Sequence, residues 1–153
     1  MKMSHWLFKS EPTSYSFDDL VRDGDAEWDG VRNFQVRNWL RDDIQVGDKV
    51  VFWHSNSKPI GAVGTAVVVR SGYPDHTAWD PGSDHPDPRS SPDNPIWYMV
   101  DIRADKRFDR IITMDELRSI PALSEMIVLK RGNRLSITRL TEKEFKVLET
   151  LGS

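Results

Sequence analysis

Cysteine is absent from this chain of 153 residues. Without a thiol the protein forms no disulfide and has no thiolate chemistry, which suits a reducing cytosol. A stretch of eighteen consecutive apolar residues is also absent, and the amino-terminal MKMSHWLFKSEP turns polar within a few residues. We therefore expect neither a membrane span nor a signal peptide, and we predict a cytoplasmic protein, in a bacterial cytosol or nucleoid or in a eukaryotic nucleus.

An excess of positive charge is lacking as well, because the formal net charge is -3. A protein that grips nucleic acid mainly through phosphates is usually basic, so that mode of binding is not indicated, although a local basic patch is compatible with the count. Hydrophobic residues make up 38% of the chain and charged residues 29%. These proportions are typical of a folded globular chain, and the length predicts one domain over residues 1–153.

The familiar catalytic and metal-binding motifs are missing too. No glycine-rich phosphate loop and no Gly-x-Ser-x-Gly elbow occur. His76 and His85 share a loop with several aspartates, but their spacing matches no metal-site pattern, so we predict no metal, no cofactor and no catalytic residue. Ser55 follows His54 directly, and adjacent side chains on a strand point to opposite faces, which argues against a Ser–His pair. Glu11 and His54 remain the residues that a small hydrolase would use.

Hydrophobic patterning predicts a mixed α+β chain in which strands outnumber helices. The predicted strands are His5–Lys9, Ala26–Trp28, Asp48–Ser55, Ile60–Tyr73, Ile96–Arg110 and Asn133–Leu140. Helices are predicted after the capping residues Ser16, Asn33, Thr113 and Thr141. In the second of these helices we expect an inward-facing stripe of Phe34, Val36, Trp39 and Leu40. Gly61 and Gly64 predict a bulge in their strand. The segment 75–95 is rich in proline, aspartate and serine, and so long a loop is usually functional or disordered.

Three short segments at predicted strand ends carry the groups that a planar heterocycle needs, which are a flat face, edge donors and acceptors, and open backbone. The segments are Lys9–Pro12, Trp28–Asn33 and Trp53–Ser57. Each has a simpler interpretation. Trp28 is either a stacking face or a core residue, and Asn33 either binds a ligand or only caps its helix. Trp6 and Trp53 lie on apolar strands and are predicted to be core.

The same motifs, taken in order, resemble the EVE domain family, which includes the thymocyte nuclear proteins. The matching stretches are WLFKSEP, YSFDDL, WDGVRNFQVRN, the HSN of FWHSNS, the AWDP and DPRSS of the long loop, and RLS beginning at Arg134. The resemblance covers nearly the whole chain. It implies a PUA-like fold, a small, mostly antiparallel, curved β-barrel with several short helices packed around it, related to YTH, SRA and ASCH domains.

The resemblance also implies a function, the reading of a modified base in DNA or RNA, with a modified cytosine or another methylated base as the favoured ligand. The implied pocket draws on Lys9, Ser10, Glu11, Trp28, Val31, Arg32, Asn33, His54, Ser55 and Asn56, with Trp79, Asp80 and Pro81 as a rim and Leu129 closing the other side. Candidate cations for a nucleic-acid rim are Arg37, Lys58, Arg89, Lys130, Arg131 and Arg134. YTH domains carry a cage tryptophan near the position of Arg32, where an arginine can stack on a base or contact a phosphate.

Three functions are therefore open at the level of sequence. The first is a non-catalytic, monomeric module that takes one flipped, modified base into a pocket and has no membrane partner. The second is an RNA-binding module of the PUA kind that needs no modified base. The third is a small hydrolase built on Glu11 and His54. A sensor of a small metabolite is a weaker possibility.

Overall fold

The computed structural model describes residues 3–153 as one mixed sheet with helices around it. Its strands are β1 (His5–Ser10), β2 (Asp25–Glu27), β3 (Lys49–His54), β4 (Gly61–Pro74), β5 (Tyr98–Thr113) and β6 (Ile137–Leu140). Its α-helices are α1 (Phe17–Asp23), α2 (Phe34–Asn38), α3 (Met114–Arg118) and α4 (Glu142–Leu151). A π-helical turn, Trp39–Asp43, extends α2, and short 3₁₀ turns cover His76–Trp79, Pro121–Leu123 and Ile127–Leu129. Within residues 3–153 no helix has the length and apolar character that a membrane crossing requires.

The six strands lie in the order β2-β5-β4-β3-β1-β6. β1 and β3 run parallel, and every other neighbouring pair is antiparallel, as the mostly antiparallel prediction requires. The sheet does not close into the predicted barrel, because within the described residues β2 and β6 remain its two edges. Both edge strands are short, which limits the unpaired backbone that they present.

Alternation along β1 and β3 divides the interior into two cores on opposite faces of the sheet. Phe8 pairs with Phe52 and both enter the first core, whereas Leu7 pairs with Val51 and both enter the second. The predicted core tryptophans are confirmed, since Trp6 is fully buried in the first core and Trp53 is 1% exposed in the second. The last residues of β1 and β3 inherit this alternation, so neighbouring polar side chains point to different faces.

Side-chain caps fix where the helices begin. Ser16 and Thr141 each form the reciprocal capping box that satisfies two backbone donors, and Asn33 Oδ1 accepts a hydrogen bond from Val36 N at 3.0 Å. One prediction for α2 is wrong. Phe34 does not face the core but is 51% exposed, because α2 is only five residues long and its first turn lies over Trp97 rather than the sheet.

The start of β6 also differs from the sequence prediction. β6 begins at Ile137 and not at Asn133, because Asn133 accepts from Leu135 N at 3.0 Å and donates to Ile127 O at 3.2 Å, which holds the residues before β6 in a turn. The predicted bulge in β4 is confirmed by register shifts around Gly64. A Cβ on Gly61 would lie 2.2 Å from Ile112 O, so only glycine fits there between β3 and β5.

Candidate functional site

The ends of β1 and β3 bring two of the predicted segments together. Because the strands are parallel, Ser10 lies beside His54, and Ser55 N donates to Ser10 O at 2.9 Å. One residue farther along, Asn56 Nδ2 donates to Glu11 Oε1 at 2.6 Å. The two motifs, distant in sequence, thus form one polar edge at this end of the sheet.

His54 presents a defined hydrogen-bonding pattern to this edge. Its Nε2 accepts from the backbone N–H of Phe17 at 3.2 Å, which places the proton of a neutral imidazole on Nδ1. Burial lowers the pKa of His54 below its usual value of 6.5, which favours that neutral form. Within residues 3–153 no hydrogen bond uses Nδ1–H, so this donor is available to a ligand or to solvent.

Lys9 lies next to this edge, but its side chain is on the same face of β1 as Leu7, which is the face of the second core. Leu129 packs against the same core. The backbone N–H of Lys9 donates to Ser136 O at 2.8 Å, so the turn before β6 covers this side of the site. Burial lowers the pKa of the Lys9 amine, and no carboxylate within residues 3–153 lies within ion-pair distance of it. Lys9 and Leu129 thus stand across the sheet from His54.

Trp28 packs against the first core without being fully covered. Its ring packs on Phe8 and Phe52 of the first core, with centroids 5.2 and 5.6 Å away, and edge-on against Tyr15 at 6.4 Å. Its backbone N–H donates to Val100 O at 2.8 Å, which fixes it beside β5. The side chain remains only partly buried, so Trp28 is a core residue that also keeps surface open near the ends of β1 and β3.

Tyr15 is a neighbour of the site that the sequence interpretation missed. Its carbonyl oxygen accepts from Ser10 Oγ at 2.6 Å, and its hydroxyl donates to Asp23 Oδ2 at 2.8 Å. Burial and the hydrogen bond to Asp23 raise the pKa of the phenol, so it stays neutral. Tyr15 begins the YSFDDL stretch and lies in a turn closed by its own N–H to Glu11 O, but nothing in this local pattern indicates a contact with Trp28.

Val31 and Asn33 are chiefly structural. Val31 is 8% exposed and belongs to the first core, and Asn33 uses its side-chain oxygen to cap α2. The carbonyl of Val31 also accepts from Arg32 at 3.1 Å. Both residues belong to the predicted ligand set because they lie close to Trp28 in the chain. The side-chain amide hydrogens of Asn33 are exposed and can donate to solvent or to a ligand.

Arg32 is held by a carboxylate that the sequence interpretation missed. Its guanidinium donates to Asp75 Oδ2 at 3.0 Å and to His85 O at 2.8 Å, and it lies 5.4 Å from the ring of Trp97. Asp75 has no exposed side-chain surface, and Gly30 N donates to it at 2.8 Å. Burial opposes ionisation of Asp75, but hydrogen bonds from Thr77, Gly30 and Arg32 outweigh it and hold the pKa of this carboxyl below its ordinary value.

Asp75 connects the long loop to the segment Trp28–Asn33, because Gly30 N and Arg32 both donate to its carboxylate. The sequence offers one local signal for it, an aspartate two residues before Thr77 at the end of a predicted strand, which is typical of a side-chain-closed turn. His85 makes a second contact between the long loop and this segment, because its imidazole lies against Gly30. A Cβ on Gly30, whose φ is +77°, would come within 2.9 Å of that ring, and His85 Nε2 is 3.6 Å from Asp29 Oδ2. The backbone of Gly30 is therefore both left-handed and closely covered.

The long loop carries the predicted rim residues, and it contacts the segment Trp28–Asn33 through Asp75 and His85. Trp79 is partly buried at the end of a 3₁₀ turn, and Asp80 and Pro81 are exposed. Asp80 Oδ1 accepts from Gly82 N at 2.9 Å within the loop itself. Across the described residues, no hydrogen bond or ring contact joins Trp79, Asp80 or Pro81 to the ends of β1 and β3.

The predicted rim cations are spread over several loops and differ in how free they are. Arg89 pairs with Asp87 at 2.9 Å and Lys130 with Glu125 at 3.3 Å, whereas Arg37 donates to Ile96 O at 2.8 Å. Of the predicted rim cations, Lys58, Arg131 and Arg134 are exposed and have no carboxylate of residues 3–153 within ion-pair distance. Lys58 follows the end of β3, and the other two precede Ser136, so these three cations flank the polar edge.

Comparison with known proteins gives the geometry a context. A family model described as the EVE domain matches residues 4–151. Human thymocyte nuclear protein 1 is 39% identical over 167 residues, which cover 97% of this chain and 73% of that protein. Its structure in complex with DNA containing 5-methylcytosine is 38% identical, with a TM-score of 0.89 over 97% of both chains.

Two further structures share the fold. A hypothetical protein from Leishmania major has a TM-score of 0.93 and 39% identity, covering 99% of this chain and 95% of that one. A mutant ASCH protein from Zymomonas mobilis, 13% identical with a TM-score of 0.50 over 98% of this chain and 99% of that one, shares the fold alone. These likenesses confirm the predicted α+β, PUA-like fold. Because the family model matches residues 4–151, nearly the whole chain, the chain belongs to the EVE domain family.

Proposed function

We propose that this chain is a non-catalytic module that binds DNA carrying a modified cytosine, with 5-methylcytosine as the first candidate. The modified base enters the site between the ends of β1 and β3 and the open surface of Trp28. The observation that carries this proposal is the complex of its relative, human thymocyte nuclear protein 1, with DNA that contains 5-methylcytosine, at 38% identity over 97% of both chains.

The chemistry of the polar edge supports a cytosine. A cytosine ring offers an amino donor at position 4 and acceptors at N3 and O2. A carboxylate accepts well from that amino group, and Glu11 provides one at the end of β1. The Nδ1–H of His54 suits an acceptor on the same ring edge. Ser10, Glu11, His54 and Asn56 then supply the hydrogen bonds of the pocket, while the side chain of Lys9 lies on the opposite face of the sheet.

The energetics of base capture are consistent with one aromatic face and a few such bonds. Extruding a base from a duplex costs a few kcal/mol. Stacking on one aromatic side chain is worth roughly 1–3 kcal/mol by substitution. Trp28 is rigid, because Phe8, Tyr15 and Phe52 hold its ring and Val100 holds its backbone, so it loses little side-chain entropy when a base stacks on it.

The hydrolase alternative is less well supported. Glu11 is engaged by Asn56, and His54 is engaged by the backbone of Phe17. Within residues 3–153 no hydrogen bond joins Glu11 to His54, so the two side chains do not form a hydrogen-bonded catalytic pair. A binding role uses both side chains as they stand.

The test is a titration of matched fluorescent oligonucleotides that differ only in one cytosine, either methylated at carbon 5 or not, at one fixed salt concentration. The proposal expects tighter binding of the methylated duplex by the wild-type chain. Trp28→Ala should lose this preference, while Trp28→Phe should keep part of it, and thermal melting of both variants separates loss of the pocket from loss of the fold. Equal affinities for the two duplexes would refute modified-base reading.

The remaining arms of the same experiment address the other functions. Tighter binding of a structured RNA than of either duplex would favour the PUA-type alternative. Product formation that disappears in Glu11→Gln would favour the hydrolase.

A further inference from the structure

An exposed aromatic side chain follows the segment Trp28–Asn33 directly in the chain. Phe34, the residue after Asn33, is 51% exposed although large apolar side chains are usually covered. Its ring stacks on Trp97, with centroids 4.8 Å apart and an angle of 29° between the planes. Trp97 itself is 2% exposed, and its Nε1–H donates to Asp87 at 2.7 Å. Phe34 is therefore held in place from below by a fixed, buried ring.

Arginines gather around these two rings. The guanidinium carbon of Arg37 is 5.0 Å from the centroid of Phe34, and that of Arg32 is 5.4 Å from the centroid of Trp97. Arg89 pairs with the same Asp87 that holds Trp97. A depression of about 280 Å³ lies between Phe34 and Arg89 and is lined in part by Trp97. Arg32 and Arg89 are paired with Asp75 and Asp87, so Arg37 is the one of these three arginines without a carboxylate partner in residues 3–153.

Arg37 has the charge that is easiest to share with a ligand. It is fixed by neutral acceptors, Asn38 Oδ1 at 2.8 Å and Ile96 O at 2.8 Å. In the part of the chain that the structure describes, no carboxylate lies within ion-pair distance of its guanidinium. An anion placed beside Phe34 would therefore find a positioned, uncompensated cation.

We propose that Phe34, Arg37 and Arg89 form a second contact surface that binds the nucleotide next to the captured base. This proposal rests on the function proposed above. Phe34 offers aromatic surface to a base that has lost its stacking neighbour, and the two arginines face its phosphate. Phe34 follows Asn33 directly, and Arg32 connects Trp97 to Asp75, the carboxylate that accepts from Gly30 N two residues after Trp28.

The expected energetic signature of this surface differs from that of the pocket. A stacked neighbour and a phosphate are present whether or not the cytosine is methylated, so their contacts strengthen binding to both duplexes. Loss of Phe34 should weaken both affinities by a similar factor and leave their ratio unchanged. Loss of the Arg37 charge should reduce the dependence of log affinity on log salt by about 1.

The experiment compares Phe34→Ala and Arg37→Gln with two controls outside this surface. Val46→Ala removes another exposed apolar side chain, which is 61% exposed shortly before β3 begins. Lys143→Gln removes an exposed cation from α4, the helix whose Phe145 packs on His5 at the start of β1. Each protein is titrated with the methylated and unmethylated duplexes at several salt concentrations, and its melting temperature is measured.

Phe34→Ala should weaken binding to both duplexes by about tenfold, since stacking on one side chain is worth roughly 1–3 kcal/mol. Both controls should bind as the wild type does. Unchanged affinity in Phe34→Ala together with an unchanged salt slope in Arg37→Gln would overturn the second surface. Loss of methyl preference in a folded Phe34→Ala would also overturn it, because Phe34 would then belong to the pocket itself.

The two proposals fail in different ways. A wild type that binds both duplexes equally, combined with a tenfold loss in Phe34→Ala, refutes modified-base reading and keeps this surface. A wild type that prefers the methylated duplex, combined with no loss in Phe34→Ala and an unchanged salt slope in Arg37→Gln, keeps the reader and refutes the surface. If Phe34→Ala lowers the melting temperature strongly, the salt slope of Arg37→Gln decides alone.

Discussion

Replacement of Asp75 by alanine tests the link between the long loop and the motif around Trp28. Asp75 accepts four hydrogen bonds, from Thr77 N at 2.9 Å, Thr77 Oγ1 at 2.5 Å, Gly30 N at 2.8 Å and Arg32 at 3.0 Å. None of its side chain is exposed. The variant leaves these donors without an acceptor in a place that water does not easily reach.

The magnitude follows from what remains after the change. Removing one partner of a buried ion pair costs roughly 3–5 kcal/mol. Arg32 is 23% exposed and keeps its bonds to Val31 O and His85 O, which favours the lower end, about 3 kcal/mol. For a domain of this size each kcal/mol corresponds to roughly 2–4 °C, so the melting temperature should fall by roughly 6–12 °C.

Circular dichroism melts and urea titrations measure the loss, with Asp84→Ala as the matched control. Asp84 is an exposed aspartate of the same loop, and its replacement should change stability by no more than about 0.5 kcal/mol. Asp75→Asn keeps one acceptor oxygen but turns an amide toward donors, so it should fall between Asp75→Ala and the wild type. A melting temperature for Asp75→Ala within the range of the control would refute the role given to this carboxylate.

Two further predictions concern the strands that carry the site. Burial lowers the pKa of His54 below 6.5, so the unfolded chain takes up the proton first, and the free energy of unfolding should decrease as the pH falls below about 6.5. In urea titrations between about pH 7.5 and about pH 5.5, His54→Gln should make this decrease smaller. An unchanged dependence of the free energy of unfolding on pH in His54→Gln would contradict the assignment. Gly61→Ala should lower the melting temperature and shift the amide spectra of β3 to β5, because its Cβ would lie 2.2 Å from Ile112 O, whereas Gly82→Ala, with its nearest neighbour at 3.4 Å, should melt like the wild type.

Local signals in the sequence were enough to predict much of the fold. Ser16 and Thr141 cap their helices through side chains three residues from their partners, and a pattern of that range is visible in the sequence. Alternation placed Trp6 and Trp53 in the core, and both are buried. The ordered motifs at the ends of β1 and β3 also led to the EVE domain family, and the family match confirms it.

The features that the sequence did not reveal depend on contacts between distant residues. Arg32 and Asp75 are 43 positions apart, and no local pattern indicates that one will hold the other. Phe34 fits the period of an inward-facing helix, but α2 ends within five residues and the partner of its first turn is Trp97, which follows a long irregular loop. Periodicity describes one element and does not contain the element that will cover it.

The proposed pocket requires a methylated cytosine to leave the duplex and lie against Trp28 at the ends of β1 and β3. The most direct measurement is nuclear magnetic resonance of a duplex whose single 5-methylcytosine carries a ¹³C-labelled methyl group, titrated with the protein to saturation. We predict an upfield shift of the methyl resonance by the ring current of Trp28, with cross-relaxation to its indole protons that disappears in Trp28→Phe. A methyl resonance that stays at its free-duplex position when the DNA is saturated would contradict the claim.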